Sequence, residues 1–164
     1  MSGSPKKIHT RLAEMVGLIN EKLENGGSAA FSPKGASMLP MLRVADDSVT
    51  LVKPPARLKK GMVALFISEE GGEQRFLLHR LVRIEGEELT FCGDNRRSCD
   101  PPARREDVVG VVSEYETRGR RHSVNEPLYR LYSLWMVSTY RFRASSQKVQ
   151  GAVYRAWKKL KRKK

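Results

Sequence analysis

Three short segments hold residues of complementary chemistry. Ser37 lies in Gly35-Ala36-Ser37-Met38-Leu39-Pro40, His79 in Leu78-His79-Arg80, and two carboxylates, Asp94 and Asp100, in Gly93-Asp94-Asn95 and Ser98-Cys99-Asp100. A serine hydroxyl is a weak nucleophile at neutral pH and needs a base within hydrogen-bonding reach. A neutral imidazole can be that base, and a carboxylate on its far nitrogen would fix the tautomer and stabilise the imidazolium. Backbone amides in a tight glycine-containing turn can stabilise an oxyanion. Each segment alone also has an ordinary structural explanation. A serine beside a glycine is commonly a turn residue, a histidine among leucines a core residue, and Gly-Asp-Asn a hairpin turn. Of the three histidines, His9 falls on a helical pattern and His122 in a charged stretch. Only His79 sits in a strand-like apolar run that could hold it rigidly.

The elements that must position these residues are legible from periodicity. Ile8, Leu12, Met15, Ile19 and Leu23 recur every three or four positions, which predicts an amphipathic helix over residues 6–24, stopped by Asn25-Gly26-Gly27. From Ala29 onward the pattern changes to short β-like runs at 49–52, 63–67, 76–84, 89–92 and 108–112. Between them stand Pro54-Pro55, Gly61, Gly71-Gly72, Gly86 and Pro101-Pro102. With no helices between the strands, the expected fold is a compact, mainly β, antiparallel domain with an N-terminal helix and C-terminal basic helices. The expected division is an N-terminal helix over 1–28, a β domain over 29–116 and a basic helical tail over 117–164. After Pro127 the chain turns helical again, with Leu128, Leu131, Trp135 and Met136 near one face.

Composition narrows the classes. The chain has 164 residues, a size at which one core can be buried without disulfide or metal staples. The net charge is +13, yet after Glu126 there is no acidic residue, whereas the preceding chain is nearly neutral. A uniformly basic nucleic-acid coat is therefore excluded in favour of a local patch. The aromatic residues Tyr129, Tyr132, Trp135, Tyr140, Phe142, Tyr154 and Trp157 are interleaved with that charge, a composition suited to an anionic membrane surface. Nucleic-acid phosphates are a second, less favoured partner of the same charge. Two cysteines, Cys92 and Cys99, are too few for a disulfide framework or a cysteine-based zinc site, and the expectation is two free thiols in a reducing compartment. No cofactor or metal is expected. No secretory leader or membrane-spanning run is read in the sequence, so the expected location is peripheral, on the cytoplasmic face of a membrane, or else the cytoplasm.

In their order, these motifs resemble the signal peptidase I superfamily, which includes the self-cleaving SOS-repressor type peptidases. The resemblance runs from about Phe31 to Val112 and takes in Arg105-Glu106-Asp107-Val108-Val109-Gly110-Val111-Val112, similar to the closing strand of small bacterial members. It implies a serine endopeptidase acting on an extended peptide with small side chains beside the cut bond. Ser37 matches the nucleophile, and Met38 and Pro40 the packing and turn residues after it. Val44-Ala45-Asp46-Asp47 stands at the family's acidic turn, and Lys60-Gly61-Met62-Val63 resembles its Gly-Asp-Val-Val with Met62 in place of Asp. His79 stands where most bacterial members carry a lysine base. A histidine there is the mark of the archaeal and endoplasmic-reticulum type and implies Ser-His chemistry. Asp100, six residues after Asp94, matches the carboxylate that assists the base in that type. It is the expected third member, with Asp94 as the alternative or as a structural turn contact. The chain departs from the pattern at Gly35, where signal peptidases carry a serine, and at Pro101-Pro102 after Asp100. The family's membrane anchor is not read here. The competing expectation is a non-catalytic module that binds a peptide, a membrane or a nucleic acid.

Overall fold

The computed structural model describes residues 5–43, 47–70 and 73–142. Helix α1 spans Pro5–Glu24. It ends as its glycines require: Gly26 takes φ +75°, and the Gly27 amide donates to the Lys22 carbonyl at 2.9 Å, closing the last turn. Leu23 is fully buried from this helix, with Val16 and Ile19 partly buried, while Met15 and Leu18 stay exposed.

Seven strands follow: β1 (Ala29–Phe31), β2 (Ser48–Val52), β3 (Val63–Glu70), β4 (Glu73–Glu85), β5 (Glu88–Cys92), β6 (Val108–Thr117) and β7 (Arg120–Ser123). They form one antiparallel sheet in the order β1-β2-β6-β3-β4-β5, with β7 paired to β6. The fold is mainly β, with a helix at each end of the described chain. Strand alternation feeds two apolar clusters. Val63 and Leu65 join Leu23, Met38, Leu42, Leu51 and Leu78, whereas Ala64 and Phe66 join Leu81, Leu89, Phe91 and Val111 on the other side. Because both faces of β3 are covered, that strand reads as a continuous apolar run.

Gly110 shows how α1 reaches the sheet. A Cβ there would stand 3.0 Å from Leu23 Cδ1 and 3.2 Å from Leu51 Cβ, so the missing side chain lets the helix settle on β6. The sheet continues past residue 116 through the β6–β7 hairpin. Pro127 then opens a second helix, α2, over residues 127–142, where its missing N–H costs nothing in the first turn. The sequence groups Leu128, Leu131, Trp135 and Met136 on one face. The structure divides them: Met136 is buried against the body, and the other three are exposed. The basic segment 144–164 lies outside the described residues, as does Asp46 of the acidic turn. Its neighbour Asp47 is buried and accepts hydrogen bonds from the Arg43 amide and the Thr117 hydroxyl, both at 2.6 Å.

Candidate active site

Ser37 sits in a compact turn between β1 and β2. Gly35 allows the entry with φ +106°, a conformation that side chains rarely adopt. The Leu42 amide donates to the Met38 carbonyl at 2.9 Å, and Met38, Met41 and Leu42 are buried. Three apolar anchors thus pin the turn to the core and leave Ser37 partly exposed. A second fastening comes from the loop after β5. The Asn95 amide donates to the Ser37 carbonyl at 2.8 Å, and Asn95 Nδ2 donates to the Ala36 carbonyl at 3.1 Å.

His79 and Arg80 are consecutive residues of β4 and project to opposite faces of it. Each meets a different carboxylate from the same loop. Cys92, the last residue of β5, is paired with Arg80, so the loop leaves the sheet beside Arg80 and its second residue, Asp94, reaches the guanidinium. The loop returns when the Asp100 amide donates to the Phe91 carbonyl at 2.9 Å. That return sets Asp100 Oδ2 2.6 Å from His79 Nδ1, with both side chains buried. With the carboxylate ionised, Nδ1 carries the proton and Nε2 is left as the acceptor, the form a general base requires.

Ser37 and His79 line one cleft of about 200 Å³, otherwise walled mainly by apolar side chains that include Ile19, Phe31, Leu65 and Phe76, with Lys34 among its lining residues. Gly93 marks their convergence. A Cβ at that position would stand 2.8 Å from the Ser37 carbonyl oxygen and 3.1 Å from His79 Cδ2. Backbone and ring therefore close on one point that only a glycine leaves free. The structure thus brings the three predicted residues Ser37, His79 and Asp100 into one neighbourhood, while Asp94 belongs to a different cluster.

Comparison with known proteins adds nothing to this geometry. No family model, curated protein or solved structure matches the chain.

The Asp94 cluster is the part of the site that sequence reasoning missed. Arg80 is fully buried and binds Asp94 through two bonds, Nε to Oδ1 at 2.8 Å and Nη2 to Oδ2 at 2.6 Å. Its Nη1 donates to the Gly61 carbonyl at 2.9 Å, to Ser133 Oγ at 3.0 Å and to the Tyr129 hydroxyl at 3.2 Å. The Tyr132 hydroxyl donates to Asp94 Oδ2 at 2.8 Å, and the rings of Tyr129 and Tyr132 lie 5.5 and 5.3 Å from the guanidinium carbon. Burial alone would make Arg80 easier to deprotonate. The hydrogen bonds and charge of Asp94 more than offset this, so its pKa is raised. Burial, reinforced by the Asp94 carboxylate, raises the pKa of Tyr132, and burial likewise raises that of Tyr129 against the opposing pull of Arg80. Helix α2 is thereby locked to the strand that carries His79 and to the loop that carries Asp100. The signal available in sequence was an arginine inside an apolar strand, which must find a buried partner.

Cys92 is buried, with its Sγ facing the Arg96 and Ser98 carbonyl oxygens at 3.9 and 3.6 Å, and Cys99 is half-buried. Among the described residues no group of three or more His, Cys, Asp or Glu is arranged to hold a metal ion.

Proposed function

We propose that the chain is a serine endopeptidase similar to signal peptidase I of the Ser-His type. The observation that carries this reading is the 2.6 Å contact of His79 Nδ1 with Asp100, in a ring that shares an apolar cleft with Ser37. Ser37 Oγ attacks the scissile carbonyl as His79 Nε2 takes its proton. The imidazolium, held by Asp100, then protonates the leaving amine, and water hydrolyses the acyl-enzyme with His79 again as base. In this reading a backbone amide such as that of Ser37 stabilises the developing oxyanion. The substrate lies extended beside the Phe31–Ala36 segment and the His79 strand, as an added strand. A side chain next to the cut bond enters the cleft, whose apolar walls favour a small apolar group.

The test is active-site labelling with a fluorophosphonate or a lipopeptide inhibitor, followed by peptide mapping. Ser37 should carry the adduct, and Ser37→Ala and His79→Ala should each abolish it. An adduct on another residue, or activity that survives Ser37→Ala, overturns the assignment. One observation favours a second reading, a module that binds a peptide without cutting it: His79 is only 2% exposed. Tight binding of an extended peptide with no turnover and no labelling would select that reading.

A further inference from the structure

Helix α2 is amphipathic twice over. One face carries Tyr129, Ser133 and Met136 into the body of the protein. The opposite face carries Leu128, Leu131, Leu134 and Trp135, which are 78, 66, 66 and 59% exposed, and Phe142 continues it. Positions 128, 131 and 135 repeat at the spacing of one helical stripe, so these side chains form a contiguous apolar strip. Beside it opens a groove of about 670 Å³, lined by Met41, Tyr115, His122, Leu131, Tyr132 and Trp135, that extends the apolar surface towards the Ser37 turn. An exposed aliphatic and aromatic strip of this kind marks an interaction surface.

We propose that this face of α2 docks on an anionic lipid bilayer. Charge selects the occupant. Arg130 and Arg141 flank the strip on the helix, and Arg118, Arg120 and Arg121 are exposed on the neighbouring β6–β7 hairpin. Glu126, which lines the groove, is engaged by the Ser123 amide at 2.8 Å and faces His122 at 3.3 Å. The chain beyond it contains no Asp or Glu and eleven Lys and Arg. Cations around leucine and tryptophan are the pattern of a helix lying in the plane of a bilayer interface, where apolar side chains enter the acyl boundary and the cations meet headgroup phosphates. Nucleic acid would satisfy the cations and leave three leucines with nothing to bury them. A second copy would bring like charges together. No helix among the described residues is long and apolar enough to cross a membrane. This surface is independent of whether Ser37 is a nucleophile, and the two proposals can fail separately.

The experiment uses the full chain carrying Trp157→Phe, so that Trp135 is the sole tryptophan reporter. Vesicles of phosphatidylcholine with phosphatidylserine should shift its emission to shorter wavelength, and brominated acyl chains should quench it. Vesicles of phosphatidylcholine alone should bind at least ~10-fold more weakly. Leu131→Glu, and separately Leu134→Glu, should each weaken binding to the anionic vesicles ~10-fold or more with unchanged near-ultraviolet circular dichroism. Binding that is equal in both variants and the parent, with no quenching of Trp135, overturns the proposal in favour of attachment by the basic segment alone. So does an absence of vesicle binding, a lipid-free dimer that Leu131→Glu dissociates, or RNA binding that the same variant abolishes.

Discussion

Asp100 Oδ2 stands 2.6 Å from His79 Nδ1, while Asp94, six residues earlier on the same loop, has turned away to bind Arg80. The two carboxylates therefore have separable effects. Asp100→Asn leaves the ring in place without a charge to set its tautomer. The rate of Ser37 labelling should fall by roughly 10²–10⁴-fold with little change in thermal stability. A labelling rate within a factor of two of the parent would remove Asp100 from the mechanism.

Asp94→Ala acts on stability. It strands a fully buried guanidinium that has lost both of its charge-assisted bonds and leaves the Tyr132 hydroxyl without its acceptor. Breaking such a pair from one side costs about 3–5 kcal/mol, which urea unfolding would read directly. A loss below about 1 kcal/mol would mean that the pair is not what locks α2 to β4.

Gly93→Ala tests the convergence of the turn and the ring. The added methyl group meets a backbone oxygen of Ser37 and the edge of His79, neither of which is the far end of a flexible side chain. Strain of about 1–3 kcal/mol is expected in thermal unfolding. Labelling of Ser37 should slow at least tenfold, because the turn and the imidazole must separate. Unimpaired labelling would show that the two can move apart without consequence.

The α2 lock also predicts a response to alkali. The pKa of Tyr132 is raised by burial and by Asp94, and that of Tyr129 by burial, so the folded protein keeps protons that the unfolded chain releases near pH ~10. A raised folded-state pKa contributes stability that is complete below the unfolded value and is lost as pH climbs towards the folded one. Stability should therefore decline above pH ~10, and Tyr132→Phe should flatten that decline. Ultraviolet titration should show a late-ionising component that the same variant reduces. Simultaneous ionisation of all five tyrosines would contradict the buried cluster.

Much of this architecture follows from local pattern. The apolar repeat of α1 and its Asn25-Gly26-Gly27 stop mark the helix to within one residue at each end, because propensity and capping act within a few positions. Strand β1 is not among the expected ones, but five of the seven, β2 to β6, appear near their expected places because alternation and the proline and glycine breakers between them are equally local. They are longer than the apolar runs, since pairing extends β3, β4 and β6 into polar residues that no periodicity marks. Strand β7, built from Arg120-Arg121-His122-Ser123, has no apolar signature and exists because β6 offers it an edge.

Residue types in the sequence by themselves nominated Ser37, His79 and two candidate carboxylates, since a weak nucleophile needs a base and a base needs an orienting charge. Which carboxylate meets the imidazole was decided in three dimensions. His79 and Arg80 point to opposite faces of β4, and the path of one loop past both of them assigns Asp100 to the first and Asp94 to the second. The two faces of α2 were decided the same way. Leu128 and Met136 are alike in apolar character, and only the Arg80 cluster, joining residues more than fifty positions apart, sets which is buried and which meets solvent. Hydrophobic period is a property of neighbours along the chain, whereas the partner of a buried charge depends on how distant segments close around it.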